Sequence, residues 1–87
     1  MPRLAERIMC PEQLSRWQQR HCPVGEFFAC WCAAEALAKQ CAGSIWQARQ
    51  RPFLWHTHGI EPLYPDAPTV ELFEPAPGYC GAVAYHP

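Results

Sequence analysis

The segment from His21 to Cys32, HCPVGEFFACWC, holds one histidine and three cysteines, and Cys10, Cys41 and Cys80 complete a set of six thiols. Such side chains ligate metals, form disulfides or act as nucleophiles, and each use imposes its own spacing. Zinc sites favour Cys-x-x-Cys knuckles or ligand pairs at i and i+4, and the chain has neither. On a helix running through this segment, Cys30 and Cys32 point about 200° apart. Cys30 and Cys41 share a face but lie about 16 Å apart along the axis. A disulfide needs Cα atoms within about 7 Å, so neither pair closes one. The metal reading that survives gathers His21 and Cys22 with a helix cysteine, completed by His56 or His58 from a following strand. The simpler reading makes the cysteines small apolar side chains of a core, reduced, with no metal and no cofactor.

The other chemistry-bearing residues have plain readings too. Cys80, in GYCGAV, would serve as a nucleophile only with a histidine beside it; as a strand residue between Tyr79 and Gly81 it packs. His56 and His58 alternate onto one strand face with Trp55 turned inward. His21 continues the Leu14 and Trp17 stripe as a half-buried side chain, and His86 is exposed. The chain lacks a glycine-rich phosphate loop, a nucleophile elbow, a paired-carboxylate pattern and a His-Glu-x-x-His helix. An enzyme is therefore not expected.

Bulk properties narrow the remaining classes. A chain of 87 residues makes one domain, 1–87, with a marginal core. Apolar residues make up 49% and aromatics 13%, which argues against disorder and for apolar surface left over to meet a partner. The net charge of −1 conceals an asymmetry. Residues 1–51 hold all seven Lys and Arg and four acidic side chains, a balance of +3, whereas residues 52–87 hold four acidic side chains and no Lys or Arg. No apolar leader or membrane-length stretch is present, so the expected location is cytoplasmic, where thiols stay reduced.

The elements that must position these residues change character at Pro52. Before it, apolar spacing predicts helices at about 3–9, 11–21, 24–42 and 45–51. Pro11 suits a first helical position, Gly43 a left-handed helix end, and Ser44 with Gln47 a capping box. After it, FLWHT (53–57), TVELFE (69–74) and YCGAVAY (79–85) alternate as strands, with the proline-rich 59–68 between them as extended surface chain. The expected fold is α+β: a helical half, 1–51, packed on a small antiparallel sheet formed by the β half, 52–87.

A wheel of the long helix puts Phe27, Cys30, Trp31, Ala34, Leu37, Ala38 and Cys41 in one core stripe. Phe28 and Cys32 fall outside it, beside Glu35 and Lys39, and Ala29, Ala33 and Ala36 make a third, smooth side. A helix apolar nearly all round is either central in a core, sandwiched by the C-terminal sheet or the loop 59–68, or buried by another chain. In a protein this small the expectation is a second chain, as a homodimer or as a docking surface for a larger protein. The expected contact residues are Phe28, Cys32, Glu35 and Lys39, flanked by the basic Arg16 and Arg20. The segment from Pro11 to Leu37 also has a helix–turn–helix outline, but Glu26, Phe27 and Phe28 stand where polar base-reading side chains belong, so nucleic acid is not the expected partner. In general character, namely small size, an Arg- and Ala-rich composition and no catalytic motif, the chain resembles phage-encoded inhibitors of host defence such as anti-CRISPR proteins. That resemblance implies inhibition by occupying a protein surface. The alternative is a zinc-stabilised nucleic-acid-binding or regulatory module.

Overall fold

The computed structural model describes residues 2–46, 50–57, 59–74, 76 and 78–86. Among them the chain forms three α-helices followed by four strands: α1 (Pro2–Ile8), α2 (Pro11–Gln19), α3 (Val24–Gln40), β1 (Phe53–His56), β2 (Gly59–Pro62), β3 (Thr69–Phe73) and β4 (Gly81–Tyr85). The α+β architecture expected from the sequence is the one observed. Its β region is two antiparallel hairpins, β1–β2 and β3–β4, and β2 runs beside β3.

The helical half is built as its punctuation dictates. Pro11 opens α2 after an extended Cys10, since proline lacks the N–H that a first helical turn leaves unpaired. The chain reverses after α2 through His21 (φ 63) and Cys22 (φ 56), both left-handed, with the Cys22 N–H returning to the Trp17 carbonyl at 3.0 Å. His21 is thus an exposed turn residue and not a continuation of the α2 stripe. The Trp17 indole N–H clamps the turn by donating to the Pro23 carbonyl at 2.9 Å. At the far end of α3 the left-handed residue is Ala42 (φ 57), one position before the expected Gly43, whose N–H closes on the Ala38 carbonyl at 2.8 Å. Of the expected helix at 45–51, residues 47–49 lie outside the described residues; Ile45 and Trp46 form a turn, and the Trp46 N–H is held by the Ser44 hydroxyl at 3.2 Å.

In the β half, the segment expected as irregular surface chain contains a strand. Gly59, at φ 140, reverses the chain, and β2 pairs with β1 in the register Phe53↔Pro62, Leu54↔Glu61, Trp55↔Ile60 and His56↔Gly59. Pro62 is tolerated because it ends the strand. In β3–β4 the small Ala82 and Ala84 turn toward the core while Val83 and Tyr85 face out, and the Tyr85 hydroxyl donates to Glu71 at 2.6 Å.

α3 is the centre of the fold. Phe27, Cys30, Ala34 and Leu37 bury the predicted stripe, together with Ile8 of α1, Trp17 of α2 and Phe53 of β1. The alanine side, Ala29, Ala33 and Ala36, is buried as well, and α3 packs more closely on β4 than on any other element. Small side chains on both elements allow that approach. The alanine side is therefore covered within one chain and not by a second copy. Cys41 leaves the stripe because α3 stops at Gln40 and Cys41 takes the exposed cap position.

Candidate functional site

Two open depressions flank the core, and they divide the residues singled out from the sequence. The first is an apolar groove of about 930 Å³ between the N-terminal half of α3 and the β3–β4 ribbon. Phe28 and Cys32 come from α3, Phe73 from the end of β3, and Tyr79 and Cys80 from the approach to β4. Val24 is 65% exposed, Phe28 50%, Phe73 50% and Tyr79 69%. Phe28 is braced rather than loose, with its ring edge-on to the buried Phe27 at 5.5 Å. Phe73 lies across its strand partner Gly81, where a Cβ would stand 2.6 Å from the Phe73 Cζ. Glycine at 81 is what lets the ring lie flat and wall the groove.

At the floor of this groove, the Cys32 thiol donates to the Cys80 carbonyl at 3.3 Å. Burial, the Cys80 thiol and the nearby Glu35 push the Cys32 thiol up to about 11. Cys30, deeper in the core, is pushed further above the ordinary thiol range by burial and then by the Glu26 and Cys10 charges. All six cysteines are free, but only Cys10 and Cys30 are the buried apolar side chains that the sequence suggests for the whole set. Cys22 lies on an exposed turn, Cys41 on an exposed cap and Cys80 on the exposed approach to β4.

Glu35 and Lys39 follow Cys32 along α3. The Trp31 indole N–H donates to Glu35 at 2.6 Å, and Lys39 stands 3.9 Å from the same carboxylate in an exposed pair of little energetic weight. Arg16 and Arg20 do not join them. They line the second depression, about 630 Å³, with Trp55, His56, Ile60 and Glu61. Both arginines are engaged: Arg16 pairs with Glu12 at 2.7 Å, and Arg20 grips Glu26 through two bonds of 2.8 and 2.6 Å. The grip raises the Arg20 pKa further, and its guanidinium stacks 5.5 Å from the Trp55 ring centre. His56 Nε2 lies 2.7 Å from a Glu61 oxygen. His58 lies outside the described residues, and among the described ones no three His, Cys, Asp or Glu side chains converge as metal ligands. Neither His21 nor Cys22 is brought to His56 in such a cluster.

The sequence reading missed the polar pair that locks these elements together. Gln13 is 0% and Glu26 4% exposed. The Gln13 amide donates to Glu26 at 2.6 Å and its carbonyl accepts the Trp55 N–H at 2.7 Å, so one side chain joins α2, α3 and β1. The legible signal was Arg20 and Glu26 facing each other across the HCPVG turn. Tyr79 and Phe73 were likewise missed as partners of Phe28, because the chain brings them there from across the fold. Among the described residues, no helix is long and apolar enough to cross a membrane. No protein-family model matches the chain, and comparisons with curated proteins and with solved structures return no match.

Proposed function

We propose that this chain is a non-enzymatic protein-binding module whose groove between α3 and the β3–β4 ribbon receives an apolar segment of a partner protein. One observation carries the reading: Val24, Phe28, Phe73 and Tyr79, from three separate segments, surround one groove and are each half exposed or more. Leaving a large apolar side chain in water forgoes roughly 1.5–3 kcal/mol of burial, and aromatic residues clustered around a depression are what protein interfaces use as anchors. Charge specifies the occupant further. Glu74 lines the groove and no Lys or Arg does, in keeping with residues 52–87, which have four acidic side chains and no Lys or Arg, so the fitting segment is apolar with Lys or Arg beside it. Inhibition of a host complex by covering such a segment is the biological form that suits the chain's general character.

A zinc-stabilised nucleic-acid module has weaker support, since Arg16 and Arg20 already hold glutamates. The test is site-specific photocrosslinking in the native cell. A photoreactive group at Tyr79 should capture one defined protein, and Phe28→Asp should abolish that capture while the melting transition survives. The same group at the exposed Gln18 should capture nothing comparable. Identical capture from both positions, or a second copy of this chain as the captured species, would overturn the assignment.

A further inference from the structure

Cys32 and Cys80 are 48 residues apart in sequence, yet they meet where α3 packs on the entry to β4. The Cys32 thiol donates to the Cys80 backbone carbonyl at 3.3 Å, which puts the two cysteine residues side by side. Cys80 is exposed and Cys32 half-buried, so an oxidant can reach one member and the other waits beside it. The remaining cysteines lack this arrangement. Cys10 and Cys30 are shielded in the core, the Cys10 thiol being spent on the Phe53 carbonyl at 3.3 Å, and Cys22 and Cys41 stand on separate exposed turns.

We propose that Cys32 and Cys80 form a dithiol modification site, oxidised by exchange with a small-molecule disulfide to an intramolecular bond that clips α3 to β4. The electrons balance in two exchanges. The Cys80 thiolate attacks one sulfur of the small disulfide, forming a mixed disulfide and releasing one thiolate, which takes up the proton Cys80 lost. Cys32 then gives up its proton, attacks the Cys80 sulfur and expels the second small thiol. The protein loses two hydrogens and the disulfide becomes two thiols. Exposure sets this order. The raised pKa of Cys32 fits the resolving role, because Cys32 is a poor first nucleophile. Once Cys80 is in the mixed disulfide it can no longer ionise beside Cys32, whose proton still rests on the Cys80 carbonyl; Glu35 on the helix and Glu74 and Tyr79 along the groove remain as the nearby ionisable groups. Closure needs the two side chains, on residues already joined by the bond from the Cys32 thiol to the Cys80 carbonyl, to turn their sulfurs together into an S–S bond of about 2.05 Å.

The site does not depend on the groove having a partner, so its test is separate from the crosslinking experiment. The reduced full chain is incubated with oxidised glutathione at neutral pH, then read by intact mass and by peptide mapping. The expected product is lighter by two hydrogens, carries no glutathione and maps to Cys32–Cys80. In Cys32→Ser the glutathione should remain on Cys80, and in Cys80→Ser the Cys32 thiol should stay unmodified at the same dose. Denaturant should erase the preference for this pair. Glutathione persisting on Cys80 in the wild type, or a disulfide mapping to any other pair, would overturn the proposal.

Discussion

Replacing Gln13 by methionine isolates the polar joint among α2, α3 and β1, because methionine fills nearly the same space and makes none of the hydrogen bonds. Two bonds are lost, the 2.6 Å donation to Glu26 and the 2.7 Å acceptance of the Trp55 N–H. A hydrogen bond to a charged group contributes about 1.5–3 kcal/mol, and a buried donor left unpaired costs about 1–3 kcal/mol. Trp55 is only half-buried and Glu26 keeps both bonds to Arg20, so the sum is discounted to about 2–4 kcal/mol. A domain of this length is stable by about 4–13 kcal/mol, which makes the loss a large share of the total. Urea unfolding should show a lower midpoint with an unchanged slope, and the melting temperature should fall by roughly 10–25 °C. Adding Glu26→Met should cost less than the two single changes combined, because the freed Arg20 is already 43% exposed at its side chain and can return to water. A loss under about 1 kcal/mol for Gln13→Met would refute the view that this side chain joins the three elements.

Leu37, 1% exposed at the centre of the core, should cost about 2–5 kcal/mol as Leu37→Ala, measured by the same unfolding curve. Ala42→Gly should stabilise by about 0.5–1 kcal/mol, because the left-handed φ of 57 at this exposed helix end is free for glycine and strained for alanine. Gly81→Ala should change stability by less than about 1 kcal/mol, since Phe73 can swing into solvent, yet it should weaken the crosslink at Tyr79 by removing the groove wall. Stability should also fall in alkali. Cys32 holds its proton more tightly folded than unfolded, so its contribution is complete below about pH 9 and is lost as pH rises toward about 11. Given its partial exposure this amounts to on the order of 1–2 kcal/mol, and a melting temperature that stays level from pH 8 to 11, or falls equally in Cys32→Ser, would contradict it.

What could be read from the sequence was what neighbours in sequence decide. Pro11, the helical spacing of Phe27, Cys30, Ala34 and Leu37, and the alternation in TVELF place α2, α3 and β3. The wheel alone also puts Phe28 and Cys32 off the core. β2 was missed because GIEP carries a charge and a proline in a four-residue strand, and its existence depends on pairing with β1. The alanine side of α3 was read as open to another chain because nothing local announces that Ala82 and Ala84 will press against it. Gln13 and Glu26 were missed for the same reason: burying them is favourable only once each supplies the other's partner. The groove joins Phe28 to Phe73 and Tyr79, which no local pattern relates.

The close seat of β4 on α3 has a consequence for how the chain folds. Most of the helical half can form from contacts near in sequence, but the alanine side of α3 finds its cover only when β4 arrives, 49 residues later by the spacing of Ala33 and Ala82. During synthesis, α3 must therefore pass through a stage with one side apolar and bare, able to stick to other nascent chains. The long-range docking of the β3–β4 hairpin is the expected rate-limiting step, so refolding should slow and aggregation should rise when that hairpin is weakened rather than when α1 or α2 is. The fit of β4 on the alanine side of α3 thus ties the exposure of that side during synthesis to the arrival of a single strand.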